Sequence, residues 1–272
     1  MGEKPTLRRA HSVKVAGGNL VLIVLPDLHG RSDLLEAALK HYPADTQFVF
    51  LGDAIDRGPD SRGTVRRLME LSDAGRIRLL CGNHEFMLLS AAELTRRAAE
   101  SGDESLRVVA SDHFINWERN GGTTVLAEFG GFDAASVPPE LLEYFSRLEL
   151  VYDGPAGYLC SHAAPPAWVS RYGSVEETIV WARPNDGPFP LPPGMHRSVH
   201  GHTPLKYPTW VGQHLYLDLG AFLTGALCTF DLETHEIIVL QGSGTVDLER
   251  LSELQSQQPD LIRPHPFTVV PL

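Results

Sequence analysis

The chain has 272 residues, 43% hydrophobic and 21% charged, which suits a soluble globular protein with a substantial core. Its formal net charge of -11, from 34 acids against 23 bases, excludes non-specific attraction to nucleic acid or to anionic membranes. An acidic protein can still take an anionic substrate where metals and arginines make the pocket locally positive. Cys81, Cys160 and Cys228 form no CxxC pair and lie in apolar runs, which predicts buried free thiols and a reducing, cytoplasmic setting. No stretch approaches the length of a membrane span, and Leu20 to Leu25 is too short for a signal core.

In chain order, residues 1 to 19 are polar, with a candidate edge strand at Ser12 to Val15. Leu20 to Leu25 is apolar without alternation, as expected of a strand covered on both faces, and ends at Pro26-Asp27-Leu28-His29-Gly30. Ser32 or Asp33 is placed to cap a helix running to about His41. The strand Phe48 to Leu51 runs into Gly52-Asp53-Ala54-Ile55-Asp56-Arg57-Gly58, a helix follows from Ser61 to Ser72, and the strand Ile77 to Cys81 ends at Gly82-Asn83-His84-Glu85. Three strand-helix units in series predict an α/β fold with parallel strands, whose ligands gather beyond the strands' carboxyl ends. Residues 86 to 146 read as a helical cap, interrupted at Gly102-Asp103 and at Asn120-Gly121-Gly122. Asn120 is either a pocket residue or a helix stop. The second half reads as strands with loops: a hairpin around Asp153-Gly154, a strand into Ser161-His162-Ala163-Ala164, and Arg197-Ser198-Val199 into His200-Gly201-His202-Thr203. Leu215 to Leu219, Leu227 to Asp231 and Ile237 to Leu240 read as antiparallel strands, and the tail, 241 to 272, carries a short helix candidate near Leu248 to Gln257.

Six clusters end an apolar run or lie just past one: Asp27/His29, Asp53/Asp56/Arg57, Asn83/His84, His162, Arg183 and His202. Oxygen and imidazole donors without thiolate suit Mn, Fe or Zn rather than a structural cysteine-rich zinc site. An arginine beside them can grip a phosphate with two parallel hydrogen bonds. Asp27-Leu28-His29-Gly30, Gly52 to Gly58, Gly82-Asn83-His84-Glu85, Ser161-His162-Ala163-Ala164 and Gly201-His202, in this order over about residues 20 to 240, resemble the motifs of the phosphoprotein phosphatase family of binuclear metallophosphoesterases, in its bacterial form.

The resemblance implies a single metallophosphoesterase domain over 1 to 272: a central β-sandwich of two mixed sheets flanked by helices, with the helical cap at about 86 to 146. It implies two divalent metal ions, manganese first, with iron or zinc as alternatives. Asp27 and His29 would bind one metal, Asp53 would bridge, and Asn83, His162 and His202 would complete the other. A hydroxide shared by the metals would attack phosphorus directly. Arg57 would hold the phosphate with Asn83, His84 would protonate the leaving oxygen, Asp56 would orient His84, and Arg183, in Trp181-Ala182-Arg183, resembles a second phosphate-binding arginine. His200 is either a further ligand or a packed residue near the site. Two departures stand out. Ala164 replaces a glycine of the family pattern, which predicts strain if that position needs a positive φ. Thr203-Pro204 replaces the further histidine of the wider superfamily, which predicts a more water-coordinated, more easily lost first metal.

The implied activity is hydrolysis of phosphomonoesters on serine, threonine or tyrosine of a phosphorylated protein, or of a small phosphoester. Asp56 and Glu85 favour it over the alternative, symmetrical hydrolysis of dinucleoside tetraphosphates. A non-catalytic binding module would have lost a ligand or His84, and none is missing. Neither nucleic acid nor a membrane is an expected partner, and the oligomeric state is left open.

Overall fold

The strand Leu22–Leu25 sends alternate side chains to two different cores: Leu22 and Val24 enter one, Ile23 and Leu25 the other. This period-2 alternation in a wholly apolar run fits a strand covered on both faces. The computed structural model of the chain describes residues 8–10, 21–242, 263–264 and 266–272. Its strands are β1 (Arg8–Ala10), β2 (Leu22–Leu25), β3 (Gln47–Phe50), β4 (Ile77–Leu79), β5 (Glu149–Asp153), β6 (Tyr158–Ser161), β7 (Arg197–His200), β8 (Thr209–Val211), β9 (His214–Tyr216), β10 (Ala226–Asp231), β11 (Ile237–Gln241), β12 (Arg263–Pro264) and β13 (Thr268–Pro271). They form two mixed sheets, ordered β13-β11-β10-β2-β3-β4 and β1-β5-β6-β7-β9-β8-β12. The parallel β2, β3 and β4 are the expected strand series. β10 and β11 pair antiparallel as expected, but β9 runs parallel to β7 and antiparallel to β8, a short strand without a sequence signal.

Between the sheets, Val24, Val49, Leu51, Cys160, Val199, Leu215, Cys228 and Phe230 form the sandwich core. The outer face of β2 to β4 carries Ile23, Leu25, Phe48 and Phe50 against helices α1 (Ser32–His41) and α2 (Ser61–Asp73). Helix α1 follows Arg31 with no side-chain cap, because the Arg31 guanidinium grips Asp33 and Ser32 hydrogen-bonds Asp60 instead. The three cysteines are free and buried. Among the described residues no helix is long and apolar enough to cross a membrane. The Ser12 to Val15 strand and the Leu248 to Gln257 helix fall outside the described residues.

Between β4 and β5 runs the helical insert: α3 (Asn83–Ser101), α4 (Glu104–Trp117), a π-turn (Glu118–Gly122), α5 (Thr123–Glu128) and α6 (Pro139–Ser146). Trp117, Val125, Leu141 and Tyr144 share the core that covers β2 to β4, so the insert is continuous with that half of the chain. Both readings of Asn120 hold: the helical run breaks at the next residue, Gly121, with φ 121, and Asn120 lines the central cavity.

Loops after β2, β3, β4, β6 and β7 meet at one edge. Gly52 makes the closest crossing, with φ 107 and its α-carbon against the Gly82 backbone, where a Cβ would overlap Gly82. Gly52→Ala is expected to destabilise the fold by about 3 kcal/mol, from left-handed strain plus the clash. Chemical denaturation of both proteins measures it, and an unchanged midpoint contradicts the crossing.

Candidate functional site

The strand-end loops hold their side chains with strained backbone. His29, Asp53, Asp56, Arg57 and His202, none of them glycine, have φ between 46 and 73. Such residues cost about 1–3 kcal/mol each and persist where neighbours over-determine them. Here the over-determination is visible. Buried Glu85 accepts hydrogen bonds from the backbone N–H groups of Asp53, Ala54 and Gly82 at 2.8, 2.7 and 3.0 Å, tying the β3 loop to the start of α3. The Asp53 carbonyl accepts from the N–H groups of Leu28 and His29, tying it to the β2 loop.

Asp53 is the centre. Its Oδ1 accepts from the His84 backbone N–H at 3.0 Å, which leaves Oδ2 facing His29 Nε2 and His162 Nε2 at 3.5 Å each and His84 Nε2 at 4.0 Å. Donor atoms converge in two buried triads that share it, His29/Asp53/His84 and Asp27/Asp53/His162. Asp27 Oδ1 accepts from the His202 backbone N–H at 2.9 Å, which ties the β2 loop to the β7 loop.

His162 Nδ1 donates to the Leu51 carbonyl at 3.0 Å, and His202 Nε2 lies 3.2 Å from the Trp181 carbonyl. Burial pushes His162 down to about 3 and, with neighbouring His162 and Arg183, holds His202 well below the usual imidazole range. His162 Nε2 and His202 Nδ1 both turn toward Asn83 Oδ1, at 2.9 and 2.8 Å. Three atoms of metal-ligand type converge on one point. Alongside them, burial first and then Asp218 and Asp53 raise Asp27 far above the ordinary carboxylate range, burial and Glu85 do the same to Asp53, and burial lifts Asp218 to about 6. Like charges this close and this dry call for a cation. Neutral imidazoles, an amide oxygen and carboxylates are an apt donor set for divalent metal. The residues present fit a binuclear metal site.

Beside this cluster, His84 Nδ1 donates to Asp56 Oδ2 at 2.6 Å, both fully buried, while His84 Nε2 has no hydrogen-bond partner. Burial, then Arg57, pushes His84 well down, and burial, then Glu85, pushes Asp56 well up. Arg57 lies over the Phe222 ring at 5.1 Å, and its Nη1 donates to His29 Nε2 at 3.0 Å. Arg183 lines the same cavity. His200 is packed: Ser198 and Ser161 hydroxyls bond its two ring nitrogens at 2.7 and 3.1 Å, and Tyr216 lies tilted against it with ring centroids 5.2 Å apart. Ala164 is not among the residues of positive φ, so the expected strain is absent; its carbonyl accepts from Ser161 Oγ at 2.7 Å.

Four residues of the site carry no motif: Asp218, Trp117, Arg119 and Phe222. Asp218 had one signal, an acid inside the apolar run Leu215-Tyr216-Leu217-Asp218-Leu219.

Saturating Mn²⁺ is expected to raise the melting temperature of chelator-treated protein. Ligand at 100 times Kd adds about 2.7 kcal/mol, roughly 5–10 °C for a chain of this size. Asp53→Asn is expected to lose both metal equivalents together by elemental analysis; loss of one alone contradicts a shared carboxylate.

Residues 20–206 match the calcineurin-like phosphoesterase family. A stretch of 96 residues is 38% identical to a symmetrical bis(5'-nucleosyl)-tetraphosphatase of Ralstonia nicotianae, covering 35% of this chain and 34% of that one. The chain spans about a third to a half of the length of such relatives. Among solved structures it is similar to that of a candidate diadenosine tetraphosphatase, with a TM-score of 0.57 at 21% identity over 88% of this chain and 100% of the other. It is also similar to a protein serine/threonine phosphatase from Saccharomyces cerevisiae, with a TM-score of 0.56 at 14% identity over 90% and 86%. At these identities the structural likeness establishes a common fold. With the fold, the buried His/Asp clusters and the match over residues 20–206 in agreement, the chain belongs to the calcineurin-like phosphoesterase family of metal-dependent phosphoesterases.

Proposed function

We propose that the protein hydrolyses dinucleoside tetraphosphates symmetrically, to two nucleoside diphosphates. The observation that carries this reading is the cavity over Asp53 and Asn83. It holds about 710 Å³, the size of a site for a whole organic ligand rather than one phosphoryl group. Its chemistry divides in two. Its lining carries three arginines, Arg57, Arg119 and Arg183, in a chain whose net charge is -11. The same lining carries the apolar Phe189, Leu205 and Val211. An anionic chain ending in an aromatic base suits that pairing of surfaces. The similarity to symmetrical tetraphosphatases supports the same reading.

Asp53 would stand between two divalent cations, with Asp27 and His29 on one and Asn83, His162 and His202 on the other. Bound there, such cations supply Lewis acidity at the phosphoryl oxygens and lower the pKa of water. The protein's own groups do the rest. Arg57 and Arg183 hold the phosphate oxygens, offsetting charge as the transition state forms. A water oxygen bonds to phosphorus in line with the breaking P–O bond and releases its proton to solvent. His84, when protonated, donates from Nε2 to the leaving oxygen, and Asp56 holds Nδ1.

Hydrolysis of phosphoproteins is the second reading, and the buried His84–Asp56 pair is what favours it. A serine alkoxide leaves only with a proton, whereas a nucleoside diphosphate is a stable anion that needs little help. Asp56 and Glu85 carried the expectation of a protein phosphatase. Glu85, however, is spent on three backbone N–H groups and Asp56 on His84 and Trp117, so both serve the site's architecture rather than the choice of substrate.

Side-by-side assay of diadenosine tetraphosphate and a phosphopeptide panel with Mn²⁺ decides the order. A preference for the dinucleotide of about 10-fold or more in kcat/KM, equal to about 1.4 kcal/mol, with a nucleoside diphosphate as the sole nucleotide product, is expected. A preference of that size for a phosphopeptide overturns the proposal in favour of the second reading.

A further inference from the structure

We propose that Trp117, on the helical insert, is a positioning residue that sets the His84–Asp56 pair for proton delivery. This rests on the reading above that His84 protonates the leaving oxygen. Asp56 has two carboxylate oxygens and each has one side-chain donor: Oδ2 takes His84 Nδ1 at 2.6 Å, and Oδ1 takes Trp117 Nε1 at 3.1 Å. An indole N–H only donates. Whatever the protonation state of the pair, Oδ1 must accept, so any proton shared between Asp56 and His84 lies on the Oδ2–Nδ1 side. The same bond fixes the rotation of the carboxylate, and through it the plane of the His84 ring. That plane aims Nε2, which has no partner, at the space beside Asp53 Oδ2.

The insert is built to hold the indole still. Trp117 is fully buried, with Phe114 and Phe132 at 5.2 and 5.8 Å between ring centroids. The chain kinks just beyond it, at Gly121, where the backbone leaves helical geometry. Gly122 lies on the indole face, where a Cβ would come within 2.5 Å of the ring. Gly121, with φ 121, gives its carbonyl to the Arg57 N–H at 3.2 Å, and a Cβ there would come within 2.7 Å of Arg57 Cγ. One turn of the insert therefore touches Arg57 directly and Asp56 through Trp117. A buried indole N–H ordinarily finds some acceptor; here the acceptor is the carboxylate that orients the acid.

Trp117→Phe keeps an aromatic ring and removes the N–H. The Mn²⁺-loaded full chain is assayed on phosphate esters graded from p-nitrophenyl to phenyl to alkyl, beside His84→Asn. Trp117→Phe is expected to leave KM and p-nitrophenyl phosphate turnover within about 3-fold while lowering kcat on the alkyl ester by about 10-fold, a smaller version of the His84→Asn pattern of roughly 10²–10⁴. In the metal-free protein, ¹⁵N spectra of the His84 ring are expected to show one tautomer in the wild type and a mixture in the variant. A loss equal for all leaving groups, or a lowered melting temperature with leaving-group dependence unchanged, overturns the inference and makes Trp117 a packing residue. If His84→Asn itself shows no dependence on the leaving group, the acid assignment fails first and the inference with it. Should Trp117→Phe not fold, benzothienylalanine at 117, which keeps the bicyclic shape without the N–H, must give the selective loss.

Discussion

The arrangement depends on an unmet electrostatic demand. Asn83 Oδ1, His162 Nε2 and His202 Nδ1 converge on one point, beside the buried carboxylates of Asp27, Asp53 and Asp218. Both imidazoles also reach a backbone carbonyl, and burial holds both well below the usual imidazole range. Buried carboxylates beside neutral imidazoles are costly without a positive partner, and a divalent cation supplies one. The strain around them has the same logic. Five left-handed non-glycine residues at one edge are held by the Glu85 clamp and by the two cores beneath.

In the cavity beside the His/Asp cluster the chemistry is the reverse of the protein's overall charge. Arg57, Arg119 and Arg183 face the cavity although acids outnumber bases across the chain. They come from three places: the β3 loop, the π-turn of the insert, and the segment after Trp181. The insert therefore supplies a guanidinium, a backbone acceptor for Arg57 and the indole that touches Asp56. It belongs to the site rather than covering it.

Much of this was legible in the residues because strand ends and metal chemistry both leave local marks. An apolar run followed by Asp-x-His-Gly, Gly-Asp-x-x-Asp-Arg-Gly or Gly-Asn-His-Glu states both the strand and what it carries, and those loops do meet. Helix starts and the break at Gly102 were also local. What escaped depends on tertiary placement. Trp117 looks like any core tryptophan on a helix until Asp56 arrives from 61 residues away. Arg119 carries no mark beyond its charge, and only the folded insert brings it to the cavity wall. The two-way choice at His200 closed on packing because flanking serines satisfy both of its nitrogens within the sandwich. The glycine missing at 164 proved harmless because the loop there never needs a positive φ. Glu85, read from its motif as a mark of substrate class, instead braces the loops through three backbone N–H groups, a role that only tertiary placement reveals.

The central claim is that the convergent side chains around Asp53 exist to hold two cations. Anomalous diffraction from crystals soaked in Mn²⁺ tests it most directly. The account predicts two peaks, both touching Asp53, one of them shared with Asn83, His162 and His202. A single peak away from Asp53, or none at saturating metal, would contradict it.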